Sequence, residues 1–188
     1  VRLTSDNSTN GLGFTLQPMG YQIAPVASRA LSEWQGAESV AIAYDPTQNY
    51  TASVAKALKG SLEKAGVEVT AYEKIQPGEK SYRETIDKLA AAGPDVIYAA
   101  VYFPEGGLIA KEMLEGEIDA QCIADYASYD TGFVETAGSA AALACPVVGV
   151  PAPEDCNRQP ATVVIVDTDE NGQLHVDKAW AKAVGAPY

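Results

Sequence analysis

Few side chains in this 188-residue sequence stand where chemistry could be done. Asp45 directly follows an apolar run, the place of a phosphate acceptor in receiver domains. That chemistry needs further acidic residues at an earlier strand end and a lysine after a later strand. The second apolar run ends Tyr72-Glu73-Lys74, and the set does not assemble. Asp167-Thr-Asp169-Glu-Asn171-Gly172 spells the first half of a calcium loop, but Lys178 holds the twelfth position, where a bidentate glutamate is required. An acidic hairpin turn is the better reading. Gly11-Leu-Gly13 begins like a dinucleotide loop, yet Leu16 replaces the third glycine and no strand precedes it. The single histidine, His175, falls in a surface-type hairpin, and no Gly-x-Ser-x-Gly elbow exists. The three cysteines are scattered without a Cys-x-x-Cys pair, which argues against structural zinc. The sequence therefore points to a non-enzymatic chain with no cofactor and no metal.

One cluster is informative. Tyr44-Asp45-Pro46 with Tyr50, Tyr102-Phe103-Pro104-Glu105, and Asp125-Tyr126 with Tyr129-Asp130 recur where the first, third and fourth apolar runs end. In an open parallel sheet, ligands bind outside the carboxyl ends of the strands. Aromatic rings supply apolar walls there, and Tyr and Asp supply oriented polar contacts. The candidate ligand-binding residues are Tyr50, Tyr102, Phe103, Asp125 and Tyr126.

The elements that must position them follow from periodicity. Apolar, β-branched runs at Ser39–Tyr44, Val67–Tyr72, Asp95–Tyr102, Ala120–Ala124 and Cys145–Val150 read as strands, and several are nearly apolar throughout, as in strands buried on both faces. Their starts lie about 25 to 28 residues apart, the length of a βα unit. Between them run amphipathic helices: Thr51–Ala65 with Val54, Leu58 and Leu62; Ser81–Ala92 with Tyr82, Ile86 and Leu89; Glu105–Glu115 with Ile109 and Met113; and an Ala-rich Phe133–Leu143 weakened by Gly138. Ser81 with Glu84 forms a capping-box pattern, and Gly66 and Gly93 sit where helix C-termini want a left-handed residue. An earlier, proline-interrupted helix spans about Phe14 to Trp34. A last strand, Thr162–Asp167, precedes the turn dipeptide Asn171-Gly172, after which Leu174–Val176 returns antiparallel. The fold class is α/β: a three-layer α/β/α Rossmann-like parallel sheet of flavodoxin-like order, with an antiparallel strand near the C-terminus.

Composition narrows the partners. Lys+Arg 13 against Asp+Glu 25 leaves a formal charge of −12, which argues against nucleic acid and against an anionic membrane face. No apolar run approaches the roughly 18 residues of a membrane span. Val1–Asn10 lacks the basic start and apolar stretch of a signal peptide, so the chain is cytosolic or the mature part of an exported protein.

Ser39-Val-Ala-Ile-Ala-Tyr-Asp-Pro-Thr-Gln-Asn-Tyr-Thr-Ala-Ser-Val-Ala55 resembles the strand–loop–helix that opens lobe 2 of type I periplasmic binding proteins, the branched-chain amino-acid receptors of ABC importers. Gln76-Pro-Gly-Glu-Lys-Ser-Tyr82, Ala99-Ala-Val-Tyr-Phe-Pro-Glu-Gly-Gly107 and Asp169-Glu-Asn-Gly-Gln173 resemble, in order, the loop after the second strand, the end of the third strand and the final hairpin. The resemblance covers most of residues 1–155 and about 160–180. It implies residues 1–188 are a single ligand-binding lobe, with lobe 1 and a return segment near 155–160 missing. It further implies capture of an amino-acid-like small molecule by hinge closure, without a chemical step. The partner would be a membrane ABC permease, and the place periplasmic or extracellular, with a lipoprotein anchor in the full-length protein. Tyr50 matches a family tyrosine in the first loop, and Tyr102 or Phe103 the aromatic contact after the third strand. The carboxylate with which the family holds the ligand's ammonium falls at Tyr126, one residue after Asp125. Two other readings of the same sheet are a ligand-sensing domain of a regulator or receptor and a flavodoxin-like enzyme.

In a sheet of order 2-1-3-4-5 the fourth and fifth strands are neighbours, about 4.8 Å apart. An exported chain would meet an oxidising compartment. Three arrangements stay open: Cys122 bonded to Cys145, Cys145 bonded to Cys156, or free buried thiols.

Overall fold

The computed structural model describes residues 19–149 and two further strands at 164–168 and 174–176. The five apolar runs become β1 (Ser39–Tyr44), β2 (Glu68–Lys74), β3 (Val96–Ala100), β4 (Gln121–Ala124) and β5 (Val147–Gly149). They join β6 (Val164–Thr168) and β7 (Leu174–Val176) in one seven-stranded sheet of order β2-β1-β3-β4-β5-β6-β7. β1 to β5 run parallel, and β6 and β7 each pair antiparallel with the strand before. The flavodoxin-like order expected from the βα period is therefore present, with the antiparallel return at the far edge.

Alternate residues of the central strands feed two separate cores, as the period-two pleat requires. Val40, Ile42, Tyr44, Val96, Tyr98 and Ile123 face one side, against Val54, Leu58 and Leu62 of α2 (Asn49–Lys64) and Ala24 and Ala27 of α1 (Gly20–Arg29). Ala41, Ala43, Ile97, Ala99 and Ala124 face the other. They pack under α3 (Arg83–Ala91), α4 (Phe103–Glu115), α5 (Thr131–Ala137) and α6 (Ser139–Ala144). α2 covers one face and α3 the other, so the crossovers diverge between β1 and β3. A crevice opens at the carboxyl ends there. β2 lacks the two-sided burial of the central strands: its residues are half-buried or exposed, because it is the sheet's edge.

Several boundaries correct the reading from sequence. The Ala-rich helix is two helices, split at Gly138, whose φ of 78° no ordinary residue adopts without strain. Ser81 and Glu84 form no capping box. Tyr82 is the N-cap of α3, its backbone N–H donates to Glu112 Oε2 at 2.7 Å, and Glu84 instead pairs with Lys88. The helix therefore starts one residue later than the pattern suggests, and its first free N–H is satisfied from α4. The early helix begins at Gly20 and carries Pro25 inside it, then continues as a π-helical segment, Ala30–Trp34. Phe14–Pro18 lie outside the described residues. Gly66 and Gly93 do take positive φ, 80° and 63°, just past α2 and α3.

Cys122 of β4 is bonded to Cys145, just ahead of β5, with Cα atoms 4.6 Å apart. Both are buried. Of the three arrangements left open by the sequence, this is the one present; Cys156 lies outside the described residues. His175 pairs opposite Asp167 in the antiparallel β6–β7 ladder, and the Asn171-Gly172 turn lies outside the described residues.

Candidate functional site at the carboxyl edge

Three strand-to-helix turns build the site. After β1, Asp45 is buried and its Oδ1 accepts from the backbone N–H and the hydroxyl of Thr47, both at 2.7 Å. Thr51 Oγ1 donates to the Asp45 carbonyl at 2.7 Å. This tight turn, the local bonding that Asp favours, starts α2 at Asn49 and puts Tyr50 in its first turn over the sheet edge. The buried Asp45 is thus a turn-former rather than a phosphate acceptor.

After β3, Tyr102 is the N-cap of α4 in extended conformation, and Pro104 occupies the first turn, where a missing N–H costs nothing. The Phe103 ring lies so close to α5 that a Cβ on Gly132 would sit 2.6 Å from it. Glycine at 132 therefore leaves room for the ring to approach that helix start.

After β4, Asp125 caps a single 3-10 turn, Tyr126–Ser128, accepting from Ala127 N–H at 3.1 Å. Ser128 Oγ donates to the Val101 carbonyl at 2.9 Å and ties the turn back to the end of β3. Asp130 then caps α5, accepting from Gly132 N–H at 2.8 Å. This double turn stacks Tyr126 on Tyr129, with ring centroids 6.0 Å apart and planes 13° from parallel.

Tyr50, Tyr102, Phe103 and Tyr126 come together around one cavity of about 250 Å³. Ala127, Tyr129 and Asp130 complete its lining. Tyr102 and Tyr129 are 39% and 43% exposed, so the aromatic walls stand open to solvent on one side. Among the described residues that line the cavity, none is basic. Asp125, also expected here from the sequence, is not in the lining. It is wholly buried behind it, accepting from the Tyr98 hydroxyl at 2.7 Å. Tyr129 and Asp130 belonged to the same aromatic recurrence in the sequence. Spacing alone did not show that a one-turn 3-10 helix folds them back beside Tyr126.

Burial raises the Asp125 carboxyl above the usual carboxylate range, and hydrogen bonds from Tyr98, Ala127 and Tyr126 pull it part of the way back. The Tyr98 phenol is pushed far up, first by its burial and then by the adjacent Asp125. Tyr50 is raised by burial and by the same carboxyl. Its hydroxyl is buried and has no hydrogen bond of good geometry, though it lies near enough to Asp125 to feel its charge. All three phenol and carboxyl groups thus disfavour a negative charge at the floor of the site.

Among the described residues no group of three or more His, Cys, Asp or Glu could hold a metal ion. Among those residues no helix is long and apolar enough to cross a membrane.

Comparison with known proteins agrees with this geometry. A family model described as periplasmic binding protein matches residues 2–169. The Leucine-, isoleucine-, valine-, threonine-, and alanine-binding protein of Pseudomonas aeruginosa is 31% identical over 97 residues, 52% of this chain and 26% of that protein. Leu/Ile/Val-binding protein homolog 2 of Brucella abortus is 38% identical over 84 residues, 45% of this chain and 22% of that protein. Among solved structures, a type 1 periplasmic binding protein from Bordetella pertussis superposes with TM-score 0.68 at 16% identity, over 77% of this chain and 38% of that one. The matched stretch spans about a quarter of the length of the two sequence relatives.

Proposed function

Because this chain belongs to the periplasmic binding protein family, we propose that the cavity at its carboxyl edge is one wall of a small-molecule clamp. The observation that carries this reading is convergence. Aromatic side chains from the turns after β1, β3 and β4 meet at a single open cavity. A packed core would hide such rings, and a random surface would not gather them from three separate turns. Tyr50, Tyr102, Phe103 and Tyr126 supply contact area and phenol hydroxyls. Asp125 acts from behind the wall, through Tyr98 and the 3-10 turn.

The whole chain is a single ligand-binding lobe. A second lobe would close over the open side by hinge motion and bury the ligand's other face. The relatives named for leucine, isoleucine, valine, threonine and alanine make an amino-acid-like molecule the ligand class. The reaction is capture and release without a chemical step. In the full-length protein the closed clamp would deliver its ligand to a membrane ABC permease from the periplasmic or extracellular side, with a lipoprotein anchor keeping it at the membrane.

A single wall binds weakly, since contacts and desolvation from the other wall are missing. Titration calorimetry of this chain with the twenty amino acids, paired with backbone amide NMR, tests the reading. Binding no tighter than about millimolar, with shifts gathered around Tyr50, Tyr102 and Tyr126, is expected. Micromolar affinity would overturn the half-clamp, and shifts located elsewhere would overturn the site.

A further inference from the structure

We propose that Ser128 is a positioning residue of this site: standing behind the lining rather than in it, it locks the turn after β4 onto the turn after β3, and so sets the width of the cavity and the size of side chain a ligand can bring. The inference rests on the ligand-binding reading above and names what fixes the selectivity of that site.

The first observation is how completely Ser128 is engaged. It is fully buried and lies between Tyr126 and Tyr129, both in the cavity lining. Its N–H donates to the Asp125 carbonyl at 2.8 Å, its carbonyl accepts from the Asp130 N–H at 2.8 Å, and its Oγ donates to the Val101 carbonyl at 2.9 Å. The two backbone bonds shape its own turn. They close the 3-10 turn and then bend the chain through Tyr129, whose φ of −73° and ψ of 77° are those of an inverse γ-turn. The hydroxyl bond reaches the other turn, because Val101 is the residue before Tyr102.

The second observation is that the grip on that other turn is two-sided. Gly106 lies one helical turn after Tyr102, and its N–H donates to the Tyr102 carbonyl at 2.8 Å. A Cβ placed on Gly106 would collide with Ser128 Oγ and lie 3.2 Å from its Cβ. Ser128 therefore bonds the residue ahead of Tyr102 and rests on bare helix backbone behind it. Tyr102 and Phe103 on one side keep a fixed separation from Tyr126 and Tyr129 on the other. Tyr50 is set differently: the side-chain bonds of Thr47 and Thr51 stay within its own turn. In a space of about 250 Å³, walls held to within about 0.5 Å can discriminate ligands by size, and walls that drift cannot.

The test is amide and aromatic-proton NMR titration of the 188-residue chain with L-leucine and L-alanine, probes of one chemistry and two sizes, alongside urea unfolding. Ser128→Ala should weaken leucine about fivefold, the effect of one lost neutral hydrogen bond, and pull the leucine-to-alanine affinity ratio toward one. In the free chain it should shift the ring protons of Tyr102, Tyr126 and Tyr129 and leave those of Tyr50 in place. Gly106→Ala should do the same. The exchange Gly106→Ala with Ser128→Gly refills the space but omits the bond, so it should recover the urea midpoint without recovering the ring shifts or the ratio. Ile86→Val, in the core under α3, is the reference for lost stability alone. Equal affinity of the unaltered chain for the two probes, rings and ratio untouched by Ser128→Ala, recovery of both by the exchange, or the same changes in Ile86→Val would overturn the proposal and leave the cavity as a binding site. If neither probe shifts this edge of the unaltered chain, the binding reading falls, and the ring protons of Ser128→Ala still decide whether Ser128 holds the wall.

Discussion

The two ends of the sheet solve the same problem in opposite ways. At each end an aspartate sits next to a central strand. At the amino edge, Asp95 precedes β3, and its Oδ2 accepts from the Glu38 and Ser39 N–H groups and the Ser39 hydroxyl, each at 2.9 Å. These donors, the Ser39 hydroxyl foremost, hold the exposed carboxyl below its usual range. At the carboxyl edge, Asp125 follows β4, is wholly buried and is held above its usual range, chiefly by desolvation. The groove at the amino edge is lined, among the described residues, by Gly93, Pro94, Asp95, Ile118, Asp119, Ala120 and Gln121, none of them aromatic. The cavity at the carboxyl edge has five aromatic residues. A carboxylate clamped by backbone N–H groups in water staples two strands together. One buried behind phenols sets the shape and charge of a site.

The largest effect should come from the bond that joins the strands under this site. β4 and β5 share one register pair, Ala124 with Val147, so the Cys122–Cys145 link carries much of their association. The double variant Cys122→Ser, Cys145→Ser should lose about 3 kcal/mol, the loop-closure effect for a bridge of this span. Urea unfolding would measure it, and a change under about 1 kcal/mol would show that packing alone holds the two strands.

Asp125→Ala comes next. It strands the Tyr98 hydroxyl and the Ala127 N–H inside the protein and should cost about 2 kcal/mol at neutral pH. Asp95→Ala should cost less, because water can replace the carboxylate at the exposed edge. If the two variants unfold at the same urea concentration, the contrast between the edges is wrong.

Tyr102→Leu probes function rather than folding. The residue is 39% exposed and gives contact area to the cavity. In a two-lobed parent the loss of affinity should be about 1 kcal/mol with stability within about 0.5 kcal/mol. A large fall in Tm with unchanged affinity would place its role in packing.

The smallest effects are in pH, and they have opposite signs. The native state holds the Asp125 proton more tightly than the unfolded chain. Its contribution is therefore full below the ordinary carboxyl range, and stability falls as pH rises through the higher native value. Asp95 is the reverse: its contribution is full above the ordinary range and is lost as pH falls through the lower native value. Urea midpoints from about pH 3 to about pH 8 should show that Asp125→Asn flattens the decline on the alkaline side and Asp95→Asn the decline on the acid side. The same slope change in both variants would remove the distinction.

Part of this contrast is legible in the sequence. β1 is Ser39–Tyr44 both as read and as found, since Val40, Ile42 and Tyr44 alternate with Ala41 and Ala43 in a run too short and too β-branched to be a helix. Tyr50, Tyr102 and Tyr126 could be set at one edge because each follows a parallel strand, and parallel strands end on the same side. The burial of Asp125 was not legible. It depends on Tyr98, 27 residues earlier and on the neighbouring strand, reaching it with a hydroxyl. The stacking of Tyr129 on Tyr126 was hidden too, because it rests on Ser128 bonding to Val101 across strands.

The element order, the parallel sheet and the gathering of aromatics at its carboxyl edge are written in the local pattern of residues. Those follow from local periodicity and from the fixed hand of βα crossovers. Which side chain of each turn faces the cavity and which is buried behind it, which cysteines meet, and where the Ala-rich helix breaks are settled by packing in three dimensions. Each of these depends on groups distant in sequence, as when Glu112, 30 residues on, accepts from the Tyr82 N–H at the start of α3. One such hydrogen bond is worth about 1 kcal/mol, and no local pattern records it.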